Sequence, residues 1–128
     1  GGFHYFADSL KERLGLDYVF ANQLEIKNET LTGRILGKIV DNAQKAKIVH
    51  LVSSEEGILL DQTVAIGDGA NDILMLGQAG LGIAYNARRE LERTANMSLG
   101  RTRLKNILYI LGITEEDMGS WNLCDRPI

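Results

Sequence analysis

The sequence predicts an α/β fold built on a mostly parallel sheet, on two observations. From Gln62 to Ile113, short apolar runs alternate with helical patterns of about ten residues, which argues for βαβ units. The second is an acidic, glycine-rich hexapeptide, GDGAND (Gly67 to Asp72), which stands where the run Thr63-Val64-Ala65-Ile66 ends. That is where open α/β sheets carry their ligands. The 128 residues are the size of one domain, and 45% apolar content suffices for a core.

The elements follow in order. Phe3, Phe6, Ala7, Leu10 and Leu14 recur at helical spacing, so residues 3–14 read as an amphipathic helix stopped by Gly15. DYVFANQLEI and TLTGRILG are rich in β formers and flank the turn KNE, which predicts a β-hairpin at about 17–37. DNAQKAKIVHLVSSEEG is a helix with Asp41 as N-cap and Gly57 as stop. The alternation then begins: strand QTVAIG, helix DILMLGQAG, strand LGIAYN, helix RRELERTA, strand NMSLG, helix RTRLKNILYILGI. The tail TEEDMGSWNLCDRPI has no clear period and reads as a loosely packed extension. No repeat or low-complexity tract interrupts the chain.

Composition excludes several functions. The net charge of −3, from 14 basic and 17 acidic residues, argues against general nucleic-acid binding. RRELER and RTRLK are basic patches, but acids interleave the first, so a solvated face is the better reading. No stretch is long and apolar enough to span a bilayer as a helix. The one cysteine, Cys124, excludes a disulfide framework, fits a cytoplasmic setting and reads as an inert thiol. His4 and His50 have no partner at zinc-ligand spacing, and no G-x-S-x-G elbow occurs.

GDGAND has three readings. It can be a turn whose Asp and Asn cap the next helix. A dinucleotide fingerprint fails, because Asp72 stands where the third glycine belongs and would repel a pyrophosphate. The acid spacing also fails for an EF-hand. A magnesium site remains, since Mg²⁺ is held by one or two carboxylates with waters and a substrate phosphate. Gly67 and Gly69 let the backbone approach a ligand, and Asn71 and Asp72 fall at a helix N-terminus that favours anions.

TVAIGDGANDILMLGQAGLGIAYNA resembles the fourth motif region of the haloacid dehalogenase superfamily, most closely its phosphoserine phosphatase branch. GGF at residues 1–3 resembles that branch's second motif, S-G-G-F, without its Ser, and LTGRILGKIVDNAQKAKIV resembles the third-motif region. The similarity runs from Gly1 to about Ile113. It implies a Rossmannoid three-layer sandwich, with residues 1–113 the C-terminal part of a phosphatase core and 114–128 an extension. It also implies a Mg²⁺-dependent phosphomonoesterase acting on O-phospho-L-serine in serine biosynthesis, through an aspartyl-phosphate intermediate.

Carried over residue by residue, the resemblance makes Asp68 a Mg²⁺ ligand and Asp72 a second carboxylate supporting the metal or the lysine. Asn71 would hydrogen-bond the phosphate or order that shell. Lys45 is the third-motif lysine, with Lys47 the alternative. A lysine in the first turn of a helix opposes the dipole, a weak independent hint that Lys45 serves something else. Gly1 and Gly2 would offer backbone N–H groups to phosphate. Without the resemblance, Lys45 reads as a solvated helix lysine and the glycines as a chain end.

Two departures stand out. The family's D-x-D-x-T segment, with nucleophile and acid/base, is not in this sequence, nor are the second-motif Ser and the cap that selects the substrate. Arg88-Arg89 replaces a frequent Lys-Pro. The expectation is therefore the C-terminal part of a longer enzyme, inactive alone, whose TVAIG strand lacks its central neighbour. The alternative is an inactive binding or interaction module that pairs with a partner or itself through the exposed sheet edge.

Overall fold

The computed structural model describes residues 2–121. Gly1 and Cys124 lie outside them, so the readings made of those two residues are not addressed. The first helix, α1, spans His4–Leu14, and Gly15 closes it at φ 64°, the left-handed conformation a glycine adopts without strain. Strands β1 (Gln23–Lys27) and β2 (Thr30–Leu36) pair antiparallel across Asn28-Glu29, both at positive φ, as a two-residue primed turn requires. The predicted hairpin is real but shorter than 17–37. Its last pair is Gln23 with Leu36, after which Gly37, at φ 73°, turns the chain away and leaves 17–22 without an antiparallel partner.

Helix α2 spans Asn42–Glu55, and the Asp41 carboxylate accepts from the Gln44 N–H at 2.8 Å as its N-cap. The alternation follows as β3 (Val64–Gly67), α3 (Ile73–Gln78), β4 (Leu81–Tyr85), α4 (Arg89–Thr94) and β5 (Met97–Leu99). The strands form a parallel sheet in the order β3-β4-β5. The next helix begins later than the pattern RTRLKNILYILGI predicts. Arg103 is extended, a 3₁₀ turn covers Leu104–Asn106, and α5 spans only Ile107–Ile110. The Tyr85 hydroxyl donates to the Thr102 carbonyl at 2.6 Å, which fixes the residues before the helix to the sheet. The tail reading missed α6 (Glu115–Ser120), which is nucleated by a reciprocal cap. The Thr114 N–H donates to the Asp117 carboxylate at 2.8 Å, and the Asp117 N–H donates back to the Thr114 hydroxyl at 3.2 Å.

The core sits where α3 and α4 cover the sheet. Ala65, Leu76, Ala84 and Leu91 form one buried cluster, and the central β4 buries Gly82, Ile83 and Ala84 in succession, as a parallel strand covered on both faces does. Small residues are needed there: a Cβ on Gly82 would lie 2.6 Å from the Leu76 carbonyl oxygen. Helix α2 packs on α3, joined by His50 Nε2 and Gln78 Oε1 at 2.8 Å and by the Leu74 N–H donating to Asn42 Oδ1 at 3.2 Å. That packing places the first turn of α2 beside the carboxyl end of β3.

Candidate active site at the carboxyl end of the sheet

The turn after β3 is built around Asp72. Its carboxylate bends back under the loop, and Oδ2 accepts from the Asp68 and Gly69 N–H groups at 3.2 and 3.3 Å. Oδ1 accepts from Lys45 Nζ at 2.6 Å. Asp72 is 4% exposed, so this ion pair is largely shielded from water. Burial, the strongest single influence on Asp72, works to raise its pKa. The Lys45 bond and charge and the two backbone N–H groups outweigh it and hold the carboxyl below its ordinary 3.8. Gly67 makes room for this arrangement, because a Cβ there would lie 2.5 Å from the Asp72 Cβ.

Asp68 is the opposite case. It is exposed, and among the described residues its carboxylate has no hydrogen-bond or ion-pair partner. Its carbonyl accepts from the Arg88 N–H at 3.4 Å, which ties the turn to the loop after β4. Lys45, Asp68 and Asp72 line one cleft of about 420 Å³, walled by Phe20, Val40 and Ile66. A smaller recess joins Asp68 to Tyr85 and Asn86 at the end of β4.

The structure thus brings together three of the residues singled out in sequence. It separates the two lysines, since Lys45 faces the cleft and Lys47 is exposed outside its lining. Asn71 lies against Gly69, with its Oδ1 2.7 Å from where a Cβ on Gly69 would stand, and it does not line the cleft. Gly2 is held from behind, its carbonyl accepting from the Asn22 N–H at 2.9 Å. Phe20, Val40 and Asn22 were not anticipated. The only signal for Asn22 was a strand breaker inside a run of β formers.

The donor set suits a hard divalent cation on one side only. Asp68 offers the cleft a carboxylate with no partner among the described residues, whereas both Asp72 oxygens already accept protein hydrogen bonds. Among the described residues no three His, Cys, Asp or Glu side chains gather into a closed cage. An ion bound at Asp68 would therefore complete its shell with water and substrate oxygens, as Mg²⁺ commonly does.

An α/β domain with a lysine–carboxylate pair and a free acid at the carboxyl end of its sheet has the features of a phosphate-handling enzyme. The chain belongs to the haloacid dehalogenase-like hydrolase family, whose model matches residues 1–77. It is 51% identical over 116 residues to a phosphoserine phosphatase of Archaeoglobus fulgidus, covering 91% of this chain and 34% of that protein. A phosphoserine phosphatase solved as a phospho-aspartyl intermediate analogue matches with a TM-score of 0.82 at 42% identity, over 89% of this chain and 54% of the other. A substrate-bound phosphoserine phosphatase complex matches equally well, with 53% of its chain covered. The chain thus spans about a third to a half of the length of these relatives. The predicted superfamily and fold class are both borne out.

Proposed function

We propose that the full-length protein is a Mg²⁺-dependent phosphoserine phosphatase of L-serine biosynthesis, working in the cytoplasm. The observation that carries the reading is the Lys45–Asp72 pair set beside the carboxylate of Asp68, which has no partner among the described residues. The relatives named phosphoserine phosphatase support phosphoserine as the substrate, which we take as O-phospho-L-serine. On this reading residues 1–113 are the C-terminal part of the catalytic core and 114–128 an extension.

The reaction has two displacements at phosphorus. A carboxylate oxygen, from an aspartate outside this chain, bonds to phosphorus while the bond to the serine oxygen breaks and that oxygen takes a proton. Water then bonds to phosphorus, loses a proton and releases the carboxylate with inorganic phosphate. The electrostatic difficulty is an anion attacking an anion. Asp68 would hold Mg²⁺, which would supply positive charge to offset this repulsion. Lys45 supplies the protein's own share, and Asp72 fixes its ammonium within the cleft while both are screened from water. Asp72 acts chiefly through Lys45 and the loop N–H groups and completes the metal's acidic surroundings. Asn71 orders the turn, and the Gly1 and Gly2 N–H groups bind phosphate oxygens.

The test is Asp68→Asn in the full-length protein. Mg²⁺-dependent hydrolysis of O-phospho-L-serine should fall by about 100-fold or more, and near-normal turnover would remove Asp68 from the metal. The 128 residues alone, with no Asp-x-Asp pair in their sequence, should hydrolyse none. A second reading, an interaction module that associates through a sheet edge, rests on β3 lying at the edge of its sheet with Val64 and Ile66 exposed.

A further inference from the structure

We propose that Asn22 is a positioning residue, which registers the start of α1 against the strand of chain that delivers Lys45. The inference rests on the phosphatase reading for its consequence and on geometry for its substance. Asn22 is 7% exposed, one of three buried polar residues among those described, and of these Asp72 is already the centre of the site. The hydroxyl of the third, Ser53, donates to the His50 carbonyl of its own helix.

Asn22 joins two distant segments. Its N–H donates to the Gly2 carbonyl at 2.9 Å, and its carbonyl accepts from the His4 N–H at 3.0 Å, which makes a lone parallel bridge with Phe3. Its side-chain Oδ1 accepts from the Val40 N–H at 2.8 Å. Val40 lines the cleft and immediately precedes Asp41, the cap of α2. The Asp41 carbonyl accepts from the Lys45 N–H at 2.9 Å, so the Asn22 bond sets where the first turn of α2 begins. On the phosphatase reading Gly2 and Lys45 are both groups this chain would offer a phosphate, and the bonds of Asn22 tie the chain at Gly2 to the chain before Lys45.

The residue type matters for one atom. Leucine has nearly the same size but would strand the Val40 N–H in a half-buried place. Aspartate keeps an acceptor oxygen at the same reach. Displacing a catalytic cation by a fraction of its reach lowers the rate of the chemical step more than it weakens substrate binding.

The experiment uses the full-length protein with Asn22→Leu and Asn22→Asp, saturating Mg²⁺ and O-phospho-L-serine. Asn22→Leu should lower kcat about tenfold or more, with KM within about twofold, and the Val40 amide should lose hydrogen-exchange protection. Asn22→Asp should keep that protection and hold kcat within about threefold of the parent. The inference is overturned if Asn22→Leu keeps kcat within about twofold, or if both variants fall alike. If Asn22→Leu fails to fold, Asn22→Asp still decides: retained protection and rate support the inference, and their loss overturns it. Absence of turnover in the parent would sink the phosphatase reading instead. The Val40 amide and the Lys45 ammonium resonance must then change in Asn22→Leu and not in Asn22→Asp.

Discussion

Lys45 Nζ donates to Asp72 Oδ1 at 2.6 Å, joining the first turn of α2 to the turn after β3 across 27 residues of chain. The lysine stands where the helix dipole disfavours a cation, and Asp72 is 4% exposed. Each is tolerable because of the other. Lys45→Met should therefore damage both function and fold. We expect phosphoserine turnover by the full-length protein to fall by about 100-fold. Stability should drop by about 3 kcal/mol, since Asp72 is left buried without its counter-charge. Steady-state kinetics and urea unfolding measure the two effects. Intact stability would mean that the pair is not shielded as the geometry indicates.

The same pair sets a response to acid. The Asp72 carboxyl titrates lower in the folded chain than its ordinary 3.8. Its contribution to stability is thus complete above the unfolded value of about 3.9 and is lost as pH falls through the lower folded value. Urea midpoints should hold steady from neutrality to about pH 5 and fall steeply below about pH 4. In Asp72→Asn that decline should be shallower. A midpoint falling equally in both proteins would assign acid sensitivity to other carboxylates.

Most of this architecture was legible because its signals are local. Asp41, Gly15 and the alternation from β3 to β5 all announce themselves by residue type and period. The helix at 115–120 was equally legible in its T-x-x-D cap and was overlooked because the tail shows no apolar period. Two features were hidden for a physical reason: they depend on contacts distant in sequence. The residues before α5 are held by a bond from Tyr85 to Thr102, and Asn22 gains its meaning from Val40. The end of the hairpin at Gly37, by contrast, is a local glycine turn. In the site, spacing marked the acids, but only packing shows that Asp72 is engaged while the Asp68 carboxylate has no partner among the described residues.

Gly67 tests how tightly the turn is built. A methyl group there would meet the Asp72 Cβ at 2.5 Å and Oδ2 at 2.8 Å, so Gly67→Ala must push the carboxylate off Lys45. A loss of about 1–3 kcal/mol is expected, with a matching loss of phosphoserine turnover. Gly77 is the control, a glycine within α3 whose added Cβ would meet nothing within 4 Å. Gly77→Ala should stabilise by about 0.5–1 kcal/mol. Thermal unfolding of the two variants reads both signs, and equal shifts would show that the turn has slack.

The edge of the sheet gives the last prediction. Strand β3 pairs with β4 on one side, and among the described residues nothing pairs with its other side. Val64 and Ile66 are 42% and 41% exposed along it. A flat apolar edge with unpaired backbone groups recruits another strand. The 128-residue chain should therefore self-associate with rising concentration in sedimentation velocity. Val64→Lys places a charge on that edge without touching the cleft, and should shift the population towards monomer. If association persists unchanged in Val64→Lys, another surface drives it; the apolar groove formed by Phe3, Phe6, Ile26 and Leu31 would then be the one to substitute next.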